Sequence, residues 1–217
     1  MGSNPTLSAT NVGMRFTAVN ALLVALLFPI TLSAQHIRDD WRYLAHPFDL
    51  EARLDHTLAD APLTAEERAE IVGLIYEKTN HDSLTDAGRQ EERRTLLSSR
   101  VGSIALAEDG SKQIVVRGPK QFCGANMNCS IWIFVRREGK LRLELSTGGN
   151  TLVIKRSSAH GFHDIAMFWH LGADEGSVDV YRWDGAEYRK ADCYIAKFDL
   201  GHPDKPPLMI DCPTKPQ

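Results

Sequence analysis

The sequence lacks any concentrated positive charge. Its 217 residues contain 25 Lys and Arg against 28 Asp and Glu, which gives a formal net charge of −3. The densest basic stretch, residues 89–94, is interrupted by Glu91 and Glu92. Because nucleic-acid binding depends on a basic patch or stripe, this composition argues against DNA or RNA as a partner.

The sequence also lacks the short motifs that specify a reaction. No serine lies in a G-x-S-x-G elbow, and the acidic residues do not spell an EF-hand loop. The carboxylates clustered at residues 49–55 and 174–184 fall in turn-like or polar-face positions. General acid–base chemistry needs one desolvated and one ionised carboxyl, so solvated surface is the favoured interpretation. We expect no cofactor.

Long apolar runs are scarce, and the clearest one lies near the amino terminus, at residues 18–28. It belongs to a segment, residues 14–34, that resembles a secretory signal peptide with cleavage after Ala34. The alternative is an uncleaved membrane anchor, but a spanning helix needs about 20 apolar residues, and Asn20 and Pro29 interrupt this run. We therefore expect a periplasmic or secreted protein without stable membrane insertion.

Cysteine is limited to four residues, all beyond the predicted signal peptide. An even number of cysteines in an oxidising compartment predicts disulfides, and four allow three connectivities. We favour Cys123–Cys129 with Cys193–Cys212, because each pair closes a short local loop. A zinc site is the alternative, and the absence of any C-x-x-C pair argues against it. No metal site is predicted.

Residues 35–100 show helical periodicity. Leu50, Leu54 and Leu58 are spaced by four, which predicts one face of a helix. Thr64 followed by Glu67 is a capping box that begins a second helix, and a third is expected over residues 86–98.

After Gly110 the apolar period changes to two. Leu141, Leu143 and Leu145 alternate with polar residues as in a half-buried strand, and Asp184-Gly185 predicts a hairpin with a type I′ turn. In total the pattern predicts seven strands with short connections. The expected fold class is α+β, with two or three N-terminal helices packed on a mostly antiparallel seven-stranded sheet that closes toward a sandwich or half-barrel.

The carboxyl-terminal residues are rich in proline. We expect them to be extended and held only through Cys212. The resulting domain boundaries are a signal peptide at 1–34, a helical segment at 35–100, a disulfide-linked β-rich domain at 101–200 and a Pro-rich tail at 201–217.

One candidate site consists of His160, His163, Asp164 and His170, three imidazoles and a carboxylate that could bind a metal ion. However, strand alternation directs His163 and Asp164 to opposite faces of a sheet, whereas metal ligands must converge. Histidines in a solvated loop are therefore the favoured interpretation.

A second candidate site is aromatic. Tyr181 and Trp183 share one face of a predicted strand, and Tyr188 follows in the next strand. Together with the 157–163 loop they could form a platform for a glycan or a peptide, although core or cross-strand packing is the commoner role of such rings. Binding residues are therefore predicted at Trp183, Tyr181, Tyr188, His160 and His163.

Several short motifs occur in order in the β-rich part: Cys123-Gly124, Asn128-Cys129, Trp132-Ile133-Phe134, Gly161-Phe162-His163-Asp164 and Tyr181-Arg182-Trp183-Asp184-Gly185 with Tyr188. Together they resemble small uncharacterised exported bacterial proteins in which a CG…NC loop, a W-[IV]-F strand, a G-[FY]-x-D turn and a Y-x-[FW]-[DN]-G-x-x-Y hairpin follow one another. The resemblance covers roughly residues 113–196. It implies export and a β-rich fold, and it transfers no catalytic residue.

These observations favour an exported, non-enzymatic binding or inhibitor-like module whose partner is an envelope protein or a glycan. Two alternatives remain. One is a metal-dependent or carboxylate hydrolase of the cell envelope that uses His160, His163 and Asp164, and the other is an envelope scaffold or assembly partner.

Overall fold

The computed structural model describes residues 53–78 and 85–213. The predicted signal peptide, its cleavage site, and Leu50 of the first predicted helix lie outside these residues.

Within the described residues the chain forms two α-helices and ten β-strands, in an order that places both helices before most of the strands. The elements are β1 (His56–Thr57), α1 (Ala65–Lys78), α2 (Asp86–Leu96), β2 (Arg100–Ala105), β3 (Lys112–Arg117), a 3₁₀ turn (Lys120–Phe122), β4 (Cys129–Arg137), β5 (Lys140–Gly149), β6 (Thr151–Ala159), β7 (Phe162–His170), β8 (Glu175–Trp183), β9 (Tyr188–Lys197) and β10 (Leu208–Asp211).

Both helices begin at side-chain caps. The capping box before α1 is confirmed, because the Thr64 amide donates to Glu67 Oε2 at 2.9 Å and the Glu67 amide donates to Thr64 Oγ1 at 3.1 Å. At α2, the Gly88 amide donates to Thr85 Oγ1 at 3.2 Å. The third predicted helix is thereby also confirmed, with an end two residues earlier than expected.

The helix predicted from the four-residue spacing of leucines is wrong over its described part. Leu54 and Leu58 are fully buried, but His56 and Thr57 between them form β1, which pairs with β2. Leu54 and Leu58 flank this short strand. Their spacing of four residues therefore buries both side chains without forming a helix.

The strands form two antiparallel meanders instead of one sheet. The first sheet has the order β1-β2-β3-β4-β5, and the second has the order β10-β9-β8-β7-β6. The α+β class and the antiparallel pairing are confirmed, whereas the single seven-stranded sheet is wrong. The chain passes from one sheet to the other at Gly149, whose φ of 137° favours glycine.

Two hydrophobic cores hold these layers together. The core between the sheets includes Ile133 and Leu145 of the first sheet with Met167 and Trp183 of the second. The other core lies between the helices and the first sheet, and it includes Ile75, Trp132 and Phe134. The first sheet therefore buries both of its faces, which explains why β4 reads as a continuous apolar run.

The Pro-rich tail is held by more than its cysteine. Leu208–Asp211 form β10, which pairs with β9 in the register Ile210↔Ile195. The prediction that only Cys212 holds this tail is therefore wrong, because backbone pairing begins after Pro207 and precedes the disulfide.

Candidate functional site

Both predicted disulfides are confirmed. Cys123 is bonded to Cys129, and Cys193 is bonded to Cys212. Disulfides persist in oxidising compartments, so the folded chain belongs outside the reducing cytosol. With all four cysteines bridged, no thiolate remains in the protein for nucleophilic chemistry.

The loop closed by Cys123 and Cys129 connects the two sheets. The Asn128 side chain donates to the His170 carbonyl at 2.7 Å and accepts from the His170 amide at 2.9 Å. Asn126 adds a donor to the Leu171 carbonyl at 3.2 Å. The Asn128 amide group therefore replaces a strand partner at the end of β7. This part of the CG…NC motif has a structural role.

Two of the three aromatic residues predicted to bind lie in the core. Trp183 and Tyr188 are 2% and 5% exposed, and their ring centroids are 5.2 Å apart. Phe162 packs on Trp183 with centroids 4.7 Å apart. Burial raises the pKa of the Tyr188 phenol, with a further contribution from the charge of Asp164. Core packing, the commoner role of such rings, is what the structure shows, so neither ring forms an exposed platform.

Tyr181 lies on the same side of the second sheet as Trp183 but is only partly buried. Its hydroxyl lies 2.8 Å from Thr147 Oγ1 of β5. Burial raises the pKa of this phenol, and the hydrogen bond to Thr147 opposes the shift. Tyr181 therefore links the two sheets by a hydrogen bond.

The predicted histidine loop is a tight hairpin turn. His160 and Gly161, with φ angles of 50° and 82°, connect β6 to β7, and Ala159 pairs with Phe162. The Glu108 amide donates to the Gly161 carbonyl at 2.9 Å, which fixes this turn to the connection between β2 and β3. The expected 157–163 loop is thus mostly strand, and His160 is exposed at its tip.

The structure does not bring the histidines and Asp164 to one point. Asp164 is 2% exposed and accepts from Ser157 Oγ at 2.8 Å, with Arg182 Nε 3.5 Å away. His163 is held elsewhere, with its amide donating at 2.8 Å to the carbonyl of Leu106, directly after β2. Among residues 53–78 and 85–213, no three His, Cys, Asp or Glu side chains converge as metal ligands do.

A different feature has the geometry of a binding site. An open cleft of about 620 Å³ lies between α1, the β4–β5 hairpin and the turn that joins β8 to β9. Its floor includes the β5 segment from Lys140 to Glu144, and its walls include Leu74 on one side and Ala186 on the other.

Glu144 is a charged residue of this cleft with a buried side chain. The register of β4 and β5 pairs Phe134 with Leu143 and Ile133 with Leu145, so that Glu144 is the extra residue of a β-bulge. Its side chain is 4% exposed, and its Oε1 accepts no hydrogen bond. Bulges redirect side chains in this way, and they are common beside functional sites.

The electrostatic environment of Glu144 is mixed. Burial raises the pKa of its carboxyl, the charges of Arg137 and Arg142 lower it, and those of Glu187 and Asp184 raise it again, with burial as the largest effect. Arg137 Nε lies 3.4 Å from Glu144 Oε1, within ion-pair distance. The net result is a carboxylate that the protein alone stabilises less well than water does.

The remaining charges of the cleft alternate in sign. The other carboxylates are Glu70, Glu77, Glu138 and Glu187, and the cations are Lys78, Arg137, Lys140 and Arg142. The cleft is therefore suited to hydrogen-bonded and charged groups, with the apolar side chains of Leu74 and Leu143 between them.

The sequence did not indicate this site. In the apparent alternation of Leu141, Leu143 and Leu145, Glu144 is placed on a solvated face. The bulge changes that assignment, because Leu141 and Leu143 pack in the helix-side core and Leu145 packs between the sheets. The one signal in the sequence is a glutamate between two core leucines in a strand.

Comparison of the chain with protein-family models, with curated proteins and with solved structures found no significant match. In the described part of the chain, neither helix has the length and apolar character needed to cross a membrane.

Proposed function

We propose that this chain is an exported, non-catalytic binding module and that its ligand occupies the cleft around Glu144. One observation carries this proposal. Glu144 is nearly inaccessible to water, yet Oε1 has no hydrogen-bond donor. A buried acceptor without a hydrogen bond costs about 1–3 kcal/mol. The ion pair with Arg137 Nε at 3.4 Å offsets part of that cost, and a ligand that supplies the hydrogen bond would recover the rest.

The shape of the cleft supports the same proposal. Its volume of about 620 Å³ falls within the range of small-molecule and peptide sites. Three elements distant in sequence form it, so a ligand would contact helix, hairpin and turn at once. Other buried polar atoms also lack a hydrogen-bond partner, among them Asp164 Oδ1 and Asp179 Oδ1, but their residues do not line this cleft.

Amide chemical shifts test this proposal with a panel of small probes. We would titrate ¹⁵N-labelled mature protein with amino acids, short peptides and cell-envelope oligosaccharides. The expected result is saturable shifts at Leu143, Glu144 and Ala186. Ala186→Trp, which fills the cleft from an exposed turn, should abolish them, whereas Ala191→Trp at an exposed position of β9 should not. Saturable shifts confined to the His160 turn would overturn the assignment of this site.

A carboxylate-dependent hydrolase is the second candidate. It is favoured by the raised pKa of Glu144 together with a second carboxylate, Glu187, in the same cleft. A panel of chromogenic glycosides and esters tests it. Turnover that is lost in Glu144→Gln and kept in Glu91→Gln, at an exposed position outside the cleft, would favour the enzyme over the binding module.

The cellular location belongs to the same proposal. The two disulfides support export, and the signal-like segment at residues 14–34 supports a periplasmic or secreted destination. The intact mass of the exported protein, before and after reduction, measures cleavage after Ala34 and the number of bridges together. A mass that retains residues 1–34, or no mass change on reduction, would contradict export with cleavage and oxidation.

A further inference from the structure

The floor of the cleft is the free edge of a sheet. β5 is the last strand in the order of the first sheet, and within the described residues no strand pairs with its outer edge. The two-residue turn Glu138–Gly139 makes Arg137 and Lys140 a hydrogen-bonded pair. By the antiparallel alternation, Leu141 and Leu143 direct their backbone N–H and C=O groups away from β4 and toward the cleft.

One hydrogen bond already occupies the position that a bond to an added strand would take. The Leu141 amide donates to Glu70 Oε1 of α1 at 3.3 Å. A carboxylate oxygen thus lies where the carbonyl of a neighbouring strand would accept. Leu143 lies two residues further along the same edge, directly before Glu144.

Side-chain chemistry selects the occupant. An added strand beside Leu143 would present one of its side chains to Glu144, whose Oε1 receives no hydrogen bond and has Arg137 Nε 3.4 Å away. A basic side chain supplies both a donor and the opposite charge, and an arginine would supply several donors in a planar fork. An acidic side chain would place a second carboxylate beside the first. The flanking positions of such a peptide would meet Leu74 and Leu143, which are apolar.

We propose that an extended peptide adds as a strand to the edge of β5 at Leu141–Leu143, where a peptide carbonyl replaces Glu70 as the acceptor of the Leu141 amide, and places a basic side chain against Glu144. Main-chain hydrogen bonds supply affinity in this mode, and pockets for alternate side chains supply specificity. The inference rests on the proposed binding function and names the ligand class of the same cleft.

The probe is a blocked peptide with the sequence acetyl-Thr-Val-Arg-Val-Thr-amide. Two matched peptides separate the contributions: one carries citrulline in place of arginine, and one carries N-methyl groups on the residues that flank the arginine. Calorimetric titration with the full mature protein should show binding of the parent peptide. The citrulline peptide should bind about tenfold more weakly, as expected for loss of a charge-assisted hydrogen bond. The N-methylated peptide should show no binding.

Protein variants complete the test. Glu144→Gln should weaken the parent peptide about tenfold and should remove the difference between arginine and citrulline. Glu91→Gln, at an exposed position of α2 outside the cleft, should change the affinity by less than about twofold. Equal binding of the arginine and citrulline peptides to the unmodified protein, or full binding of the N-methylated peptide, would overturn the inference.

The failures of the two proposals are distinguishable. If these peptides leave the cleft amides unshifted while an amino acid or oligosaccharide shifts them, the peptide inference is wrong and the binding site stands. If no compound shifts the amides of Leu143, Glu144 and Ala186, both are wrong.

Discussion

The guanidinium of Arg137 lies over the indole of Trp183, 4.8 Å from the ring centroid. The Nε atom of the same arginine lies 3.4 Å from Glu144 Oε1. Trp183 is buried between the sheets and Glu144 lines the open cleft, so one arginine connects the aromatic core to the candidate site. The tryptophan therefore influences the cleft by orienting Arg137.

This arrangement predicts the effect of removing the arginine. Arg137 lowers the pKa of Glu144, so Arg137→Met should raise that pKa above its value in the unmodified protein. A carbon-detected NMR titration of the Glu144 carboxyl measures the change. Arg136→Met is the matched control, because Arg136 is paired with Glu67. An unchanged Glu144 pKa in Arg137→Met would show that the pair carries no electrostatic energy.

Glu144 also predicts a dependence of stability on pH. Because burial raises its pKa, the folded protein holds this proton more tightly than the unfolded chain does, and stability falls as pH rises above the ordinary value of 4.5. Glu144→Gln lacks this loss. The free energy of unfolding of the variant, relative to wild type, should therefore be more favourable at pH 8 than at pH 4. Glu91→Gln, at a position of α2 outside the cleft where the side chain is 68% exposed, should show no such trend in urea denaturation.

Much of the local structure could be predicted from the sequence, because it depends on contacts between near neighbours. The capping box at Thr64 and Glu67 acts over three residues. The short-loop disulfides are of the same kind and are confirmed. The hairpin at Asp184-Gly185 is also confirmed, but the type I′ turn is wrong, because Trp183 pairs with Tyr188 and residues 184–187 form a four-residue connection. Each depends on the chemistry of a short segment and is independent of the layer that packs against it.

The candidate site depended on a feature without a local signal. Strand alternation predicts a face for each residue only while the register is unbroken, and the bulge at Glu144 breaks it. The division into two sheets was missed for a related reason. Gly148-Gly149 suits either a hairpin turn or a passage between layers, and only the close packing of Gly149 against Phe168 and Met167 decides between them.

Asn128 should be important for stability because of its paired contacts with His170. Asn128→Ala removes both hydrogen bonds and exposes two backbone groups of β7, at a cost of about 1–3 kcal/mol. Asn128→Asp keeps the acceptor and loses the donor, so it should also destabilise the protein. Asn126→Ala, which loses only donor contacts longer than 3.1 Å, is the milder control. Equal urea midpoints for Asn128→Ala and Asn126→Ala would contradict this role.

The Cys193–Cys212 disulfide should stabilise β10 on the edge of the second sheet. Because the bridge spans 19 residues, replacing both cysteines with alanine should cost up to about 3 kcal/mol. The strand is short, so the loss should be local, and hydrogen exchange should accelerate at residues 208–211 before the rest of the sheet. Uniform acceleration across β7 and β8 would indicate that the bridge instead supports the whole fold.

Alanine substitutions at Gly148 and at Gly73 should have opposite effects on stability. A Cβ at position 148 would lie 2.5 Å from Trp169 Cη2, so Gly148→Ala must displace the indole and should cost about 1–3 kcal/mol. Gly73 of α1 has nothing within 4 Å of the corresponding position. Gly73→Ala should therefore stabilise the protein by up to about 1 kcal/mol, since alanine is the better helix former.

The displaced group in Gly148→Ala can be identified by a second substitution. Trp169→Phe shortens the ring that the new methyl group would meet, so combining it with Gly148→Ala should cost less than the sum of the two single variants. Thermal unfolding of the four proteins measures this coupling. Strict additivity would mean that the backbone of β5, and not the indole, moves to admit the methyl group. That movement would then also change the Thr147–Tyr181 hydrogen bond one residue away.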